Sequence, residues 1–395
     1  MKQLLALSIS LLLTAIITGC GGGAASTPAA SISSPSSPSV PAGTYYVSAT
    51  GSDSNAGTAS APWLTLTHAD SVIGPGTEVI VQPGVYNVGS QFSTVASGTA
   101  TQRIIYLSAT QGGAQIRSTG SAQTDAVWWT GGNYVDYVGF DLSGPGYEGF
   151  YNTGSYDSFL GNYVHDIAAA ACGSTGGAGI LDGNFSATSN KIIGNRIWNI
   201  SPSTGSAYCH GIYTTNFGAV IQNNVVWNAS GACISAWHGA TSTIITNNTL
   251  FNCTGWGMVL GDGDDGAATF QNAYVANNIV YNNGSFGIQE CCSGSWLGGP
   301  NNVYTNNLLF GNPTESSMQT GVLLNTVRAN PDFVSYTPTT STGNYQLSAG
   351  SPAIGTGTST NAPAYDFNGG ARSGSYDLGA YQSASTPAAW PWYSY

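Results

Sequence analysis

The sequence predicts an all-β protein, a single-stranded right-handed parallel β-helix, and three observations predict it. The first is self-similarity: GNYVHDI, GNRIWNI, NNVVWNA, NNTLFNC, NNIVYNN and NNLLFGN begin at 161, 194, 223, 247, 277 and 306, with gaps of 24–33 residues. A period of 20–50 residues marks a repeat architecture. The second is a constant asparagine in these segments (Asn162, Asn195, Asn224, Asn248, Asn278, Asn307), followed three positions later by a ring: His165, Trp198, Trp227, Phe251, Tyr281, Phe310. The third is a further apolar motif after each segment: GILDG at 179, GIYTT at 211, CISAW at 233, GMVLG at 257, GIQEC at 287 and GVLLN at 321. These are short β segments with Gly/Asn turns and no helical periodicity. None can bury its own apolar face, so the units must stack. Stacking places equivalent residues about 4.8 Å apart, where asparagines can bond to one another and to the backbone. A β-propeller needs blades of roughly 40 residues or more, and these repeats are too short.

The N-terminus precedes this ladder. MKQLLALSISLLLTAIITGC places Lys2 before a short apolar run, Leu4 to Ile17, the pattern of an export signal rather than a membrane span. Ile17-Thr18-Gly19-Cys20 resembles a bacterial lipobox, which implies cleavage before Cys20 and lipidation of its thiol; an ordinary secretory signal is the alternative. The expected organisation is a lipoprotein signal peptide over 1–19, a lipid-anchored Gly/Ser/Pro linker over 20–43, the β-helix over 44–384 and an aromatic tail over 385–395. The protein is then exported and anchored to the bacterial outer membrane or cell surface, as a monomer.

Charge is sparse. Seven Lys+Arg stand against 18 Asp+Glu, a net of −11. Nucleic-acid binding needs clustered cations, and none are present. Disorder is excluded by 22 Tyr, 12 Phe and 10 Trp. Six cysteines follow Cys20, an even number that permits disulfides in an exported protein.

The opening YYVSATGSDSNAGTASAPWLTLTHAD with GPGTEVIVQPGVYN, and the closing YQLSAGSPAIGTG with YDFNGGARSGSYDLGAYQ, resemble the first and last coils of secreted bacterial β-helix proteins of the pectate-lyase-like superfamily. The resemblance covers about 44–384. It implies the fold strongly and an activity weakly, since the superfamily holds lyases, hydrolases, epimerases, adhesins and tailspikes.

Aligning the third motif on Ile180, Ile212, Ile234, Met258, Ile288 and Val322 points those residues inward and the next position (Leu181, Tyr213, Ser235, Val259, Gln289, Leu323) outward. The position after that, which includes Asp182 and Glu290, turns inward or ends the strand. Long segments on both edges of this sheet (168–178, 201–209, 262–272, 291–300) suggest a trough, with a Cys172–Cys209 disulfide pinning one wall. GDGDDG at 261–266 follows the strand of one coil, so Asp262 stacks near His238. Asp262, Asp264 and Asp265 could hold Ca²⁺, which takes several oxygens, or one could orient His238 as a base; Gly/Asp runs are also plain turn formers. The expected catalytic set is His210, His238 and Asp262, with substrate contacts at Tyr213, Trp237, Asp182 and Glu290. His165 is read as packing. The expected function is a polysaccharide lyase cleaving a uronate-containing glycan by β-elimination. A glycoside hydrolase on a neutral polysaccharide and a non-catalytic adhesin or structural β-helix are the rivals. Pectate-lyase families use Lys or Arg as base, but the only lysine after the leader, Lys191, falls at another corner.

Overall fold

The computed structural model describes residues 41–122, 124–167, 172, 176–201, 207–261, 270–291 and 299–392. Its strands form a right-handed parallel β-helix with three long parallel sheets of eleven, nine and nine strands among the described residues. Each complete coil contributes one strand to each. One coil runs from Ser158–Leu160 in the first sheet to Tyr163–Ile167 in the second and Gly177–Asp182 in the third, then returns to the first at Lys191–Ile193. A short helix, Leu66–Val72, opens at Thr65, whose side chain accepts the His68 amide, and buries Leu66 and Ala69. The C-terminal segment adds a small antiparallel pair, Phe333–Ser335 with Asn344–Leu347.

The asparagine repeat becomes a ladder between the first two sheets. The backbone N–H of Asn162 donates to Asn195 Oδ1, Asn195 to Asn224, Asn224 to Asn248, Asn248 to Asn278 and Asn278 to Asn307, at 2.9–3.0 Å. Each side-chain amide donates onward to the same oxygen and back to a carbonyl one coil earlier, as Asn224 does to Ile192 at 2.8 Å. The residue before each ladder asparagine is Gly or Asn because it sits in the left-handed region, from Gly161 at φ 62° to Asn306 at φ 51°. The rings stack on the second sheet: His165 on Trp198 at 4.3 Å, Trp198 on Trp227 at 5.2 Å, Trp227 on Phe251 at 5.6 Å. His165 packs in this row and bridges Asp141 and Asp166. Its burial opposes the charge, but those two carboxylates outweigh it and raise its pKa to about 8.

The core face of the third sheet is an unbroken stack, Trp128, Phe150, Ile180, Ile212, Ile234, Met258 and Ile288, all fully buried. Each such side chain contributes roughly 1.5–3 kcal/mol. The glycine before the aliphatic residue is required by close approach. A Cβ on Gly211 would collide with Val226 inside and the Cys233 carbonyl on the next coil.

The last motif is corrected. Val322 is 67% exposed, and Leu323–Leu324 pair with Tyr304 and Thr305 in the first sheet. The third-sheet strand of that coil is the polar Thr314–Ser317, with Ser316 opposite Ile288. Two disulfides join neighbouring coils, Cys172–Cys209 and Cys233–Cys253, with Cα separations of 5.5 and 5.6 Å. The tail packs on the side of the solenoid: Trp390 lies against Leu107, Val138 and Leu160 and donates to the Ser108 carbonyl.

Candidate functional site

The outer face of the third sheet is a register-matched row: Trp129, Tyr151, Leu181, Tyr213, Ser235, Val259, Gln289. Alternation puts these side chains opposite the core stack. The first four are only half-buried, so the row offers rings and apolar edges to a ligand lying along the solenoid. Trp237 is half-buried too and packs near Val259 and over Gly261.

Two of the expected site residues flank Tyr213. The His210 ring meets it edge-on at 5.2 Å, and the His238 ring lies at 6.2 Å. Phe185, 63% exposed, covers His238 at 4.5 Å. His238 is held in the left-handed region at φ 57°. His210 is 7% exposed, and burial lowers its pKa to about 4, so it is neutral at working pH. Its Nδ1 accepts the Ala232 amide at 3.1 Å. A neutral imidazole that accepts at one nitrogen carries its proton on the other. His210 is therefore a donor through Nε2–H rather than a proton acceptor.

Asp182 and Glu290 are also corrected as substrate contacts, because both are fully buried inside the solenoid. They belong to the inward row Asn152, Asp182, Thr214, Ala236, Leu260, Glu290. Asp182 accepts from Asn152 (3.0 Å), Asn190 (2.7 Å) and Thr214 (3.1 Å), and desolvation raises its pKa to about 6. Desolvation also pushes the Glu290 carboxyl upward. The amides of Gln319, Thr320 and Gly321 at 2.8–2.9 Å and the Tyr304 hydroxyl at 2.7 Å outweigh it and hold a carboxylate. Glu290 thus ties down the turn after Ser317. Asp182→Asn would set an amide NH₂ either against the two asparagine amides or against the Thr214 hydroxyl. It is expected to cost about 1–3 kcal/mol in urea unfolding, with turnover per folded molecule unchanged.

Asp262, Asp264, Asp265 and Cys20 lie outside the described residues. Among the described residues no group of three or more His, Cys, Asp or Glu is placed to hold a metal ion, and the interior carboxylates are already committed to protein donors.

The structure adds a residue that the repeat pattern overlooked. Glu148 pairs in register with Ala178, and Ala178 with His210, so Glu148 and His210 stand two coils apart, about 10 Å, across an alanine. Glu148 is 6% exposed and makes no hydrogen bond or ion pair among the described residues. Burial, and then Asp125 nearby, raise its pKa to about 8. The Tyr151 phenol is raised by burial and then by Glu148. A Cβ on Gly149 would meet Val164 inside, so alternation breaks before Phe150 and Glu148 turns away from the core. The result is a poised carboxyl at one end of a short gap, an imidazole N–H at the other, and tyrosines alongside both.

No protein-family model matches the chain. Over 131 residues it is 27% identical to pectate lyase L of Dickeya chrysanthemi; the match spans 31% of this chain and 31% of that relative's length. The structure is similar to that of pectate lyase Pel9A, with a TM-score of 0.61 and 18% identity over 86% of this chain and 96% of that one. It is also similar to a rhamnogalacturonan lyase, with a TM-score of 0.54 and 19% identity over 78% and 96% of the two chains. What these likenesses establish is the β-helix itself.

Proposed function

We propose that the chain is a polysaccharide lyase that cleaves a uronate-containing glycan by β-elimination on the outer face of the third sheet, exported and lipid-anchored through Cys20. The observation that carries this reading is Glu148, a nearly buried carboxyl of raised pKa, unpaired among the described residues and facing His210 across Ala178. The lyases that share the fold and the part-length sequence similarity support it. A raised pKa makes a carboxylate a stronger base, suited to a carbon acid. In the proposed step Glu148 takes the proton alpha to the uronate carboxyl. The C–H electron pair becomes a C4–C5 double bond, the C4–O bond breaks, and water protonates the leaving oxygen. His210 Nε2–H donates to the substrate carboxylate, where charge develops. Tyr151 and Tyr213 stack on the flanking sugars.

Asp262, Asp264 and Asp265 are the carboxylates we propose for Ca²⁺, which when bound would neutralise the uronate carboxylate. Calorimetric Ca²⁺ titration tests this. Binding is expected in the wild type and lost in an Asp262→Ala/Asp264→Ala/Asp265→Ala variant. No binding, or binding equal in the two, removes the metal from the proposal.

One observation favours hydrolysis as a second reading. Asp125 lies close enough to Glu148 to raise its pKa, and a pair of carboxyls flanking the scissile bond is what glycosidases use. The two readings need opposite forms of Glu148. A lyase base must be ionised, so activity rises with pH through about 8; a hydrolase acid must be protonated, so activity falls. Following the ultraviolet absorbance of an unsaturated product alongside reducing-end release across this range decides between them.

A further inference from the structure

The outer face of the first sheet carries a groove of about 430 Å³ that the proposed reaction does not use. Its floor includes Leu160, Lys191, Ile193 and Gln222, one side is Arg103 with Asp136, and the other is Tyr365 with Trp392. Arg103 is committed, with Nε and Nη2 on the Asp136 carboxylate at 2.8 and 2.7 Å. Lys191 is exposed and makes no ion pair among the described residues. The groove therefore holds one net positive charge in a chain of net charge −11.

The far wall is tied to the floor, so the groove is built in advance. Gln222 Nε2 donates to the Asn361 carbonyl at 2.8 Å, Asn223 Nδ2 to the Tyr365 carbonyl at 2.6 Å, and Arg372 to Asn223 Oδ1 at 2.9 Å. Gln222 Oε1 accepts nothing among the described residues and remains an acceptor for a hydroxyl. Tyr365, 46% exposed, presents a ring to the groove. An ammonium, an amide acceptor and aromatic walls are the chemistry that holds a carboxylated sugar. The geometry points to a second site here, on a different sheet from Glu148, that binds a uronate residue of an acidic oligosaccharide without cleaving it. It does not depend on the lyase reading.

Lys2 and Lys191 are the two lysines of the chain, so ¹³C-dimethylation labels Lys191 with a signal assigned by its absence in Lys191→Gln. The full chain, carrying Glu148→Gln to prevent turnover, is titrated with trisaccharides of galacturonate, glucuronate and mannuronate and with neutral galactotriose. A saturable shift of the Lys191 signal is expected with at least one uronate and not with galactotriose. In unlabelled protein, Lys191→Gln is expected to weaken that binding at least tenfold, while Lys191→Arg largely restores it. No shift with any of the three uronates, or an equal shift with galactotriose, overturns the proposal. If uronates shift Lys191 while the wild type cleaves none of them, the groove stands and the lyase reading fails.

Discussion

Glu148→Gln is expected to lower kcat at pH 9 by about 10²–10⁴-fold, the usual contribution of a positioned base, while KM for an acidic glycan changes little. The substitution keeps the shape of the side chain and removes only the ability to take a proton. The pH dependence is as informative as the rate. The folded carboxyl titrates near 8 against an ordinary value of 4.5. Between those values the native state binds a proton that the unfolded chain has released, so wild-type stability falls as pH rises through that window. Glu148→Gln removes this group's share of the slope and leaves those of Asp182 and His165, so urea midpoints at pH 9 should be higher in the variant than in the wild type. A variant both less active and more stable at alkaline pH marks a strained functional group. Loss of activity together with loss of stability at every pH would make Glu148 a packing residue and remove the base from the mechanism.

Much of the solenoid is legible because stacking forces equivalent positions to repeat. The ladder asparagines, the ring row and the aliphatic stack each require the same chemistry every coil, so they show as periodicity in the chain. The failures come where that chemistry is absent. Asn224, Asn248 and Asn278 precede Ile234, Met258 and Ile288 by ten residues each. The same count from Asn307 falls on Ser317, at the end of the true strand. The apolar GVLLN attracts the assignment only because that strand has lost its apolar residue. Asp182 and Glu290 stand out as rare acids, yet Ala236 and Leu260 occupy the same row and mark it as inward. Glu148 shares its Gly-apolar-tyrosine context with a later motif: Gly149-Phe150-Tyr151-Asn152 aligns with Gly211-Ile212-Tyr213-Thr214. Its burial and the nearby Asp125 come from tertiary placement, and no local pattern encodes them. The tautomer of His210 is equally illegible, since the Ala232 amide that sets it lies 22 residues away.

Asn224→Ala should be among the most damaging single substitutions in the protein, about 3–5 kcal/mol, and Asn224→Asp only partly better. Asn224 Oδ1 accepts both the backbone N–H and the side-chain amide of Asn195, at 2.9 and 3.0 Å. Its own amide donates to the Ile192 carbonyl at 2.8 Å and to Asn248 Oδ1 at 3.0 Å. All these groups are buried, and Asn224 itself is fully so. Alanine strands the Asn195 backbone N–H and one N–H of its side-chain amide and takes a donor from the Ile192 carbonyl, each costing roughly 1–3 kcal/mol when unsatisfied, while Asn248 Oδ1 keeps the Asn224 backbone N–H. Some of that is recovered if water enters the vacated space, which is why the total stays below the sum. Aspartate keeps the acceptor for Asn195 but sets an oxygen against Ile192 O and Asn248 Oδ1, where a donor is required. The ladder is continuous across six coils, so the damage should not stay local. Hydrogen exchange is expected to accelerate at Asn195 and Asn248 together, one coil on each side, while the amides near Leu66–Val72 keep their protection. Uniform acceleration along the whole chain would mean that the solenoid unfolds as one unit and that the ladder is not where its cooperativity resides.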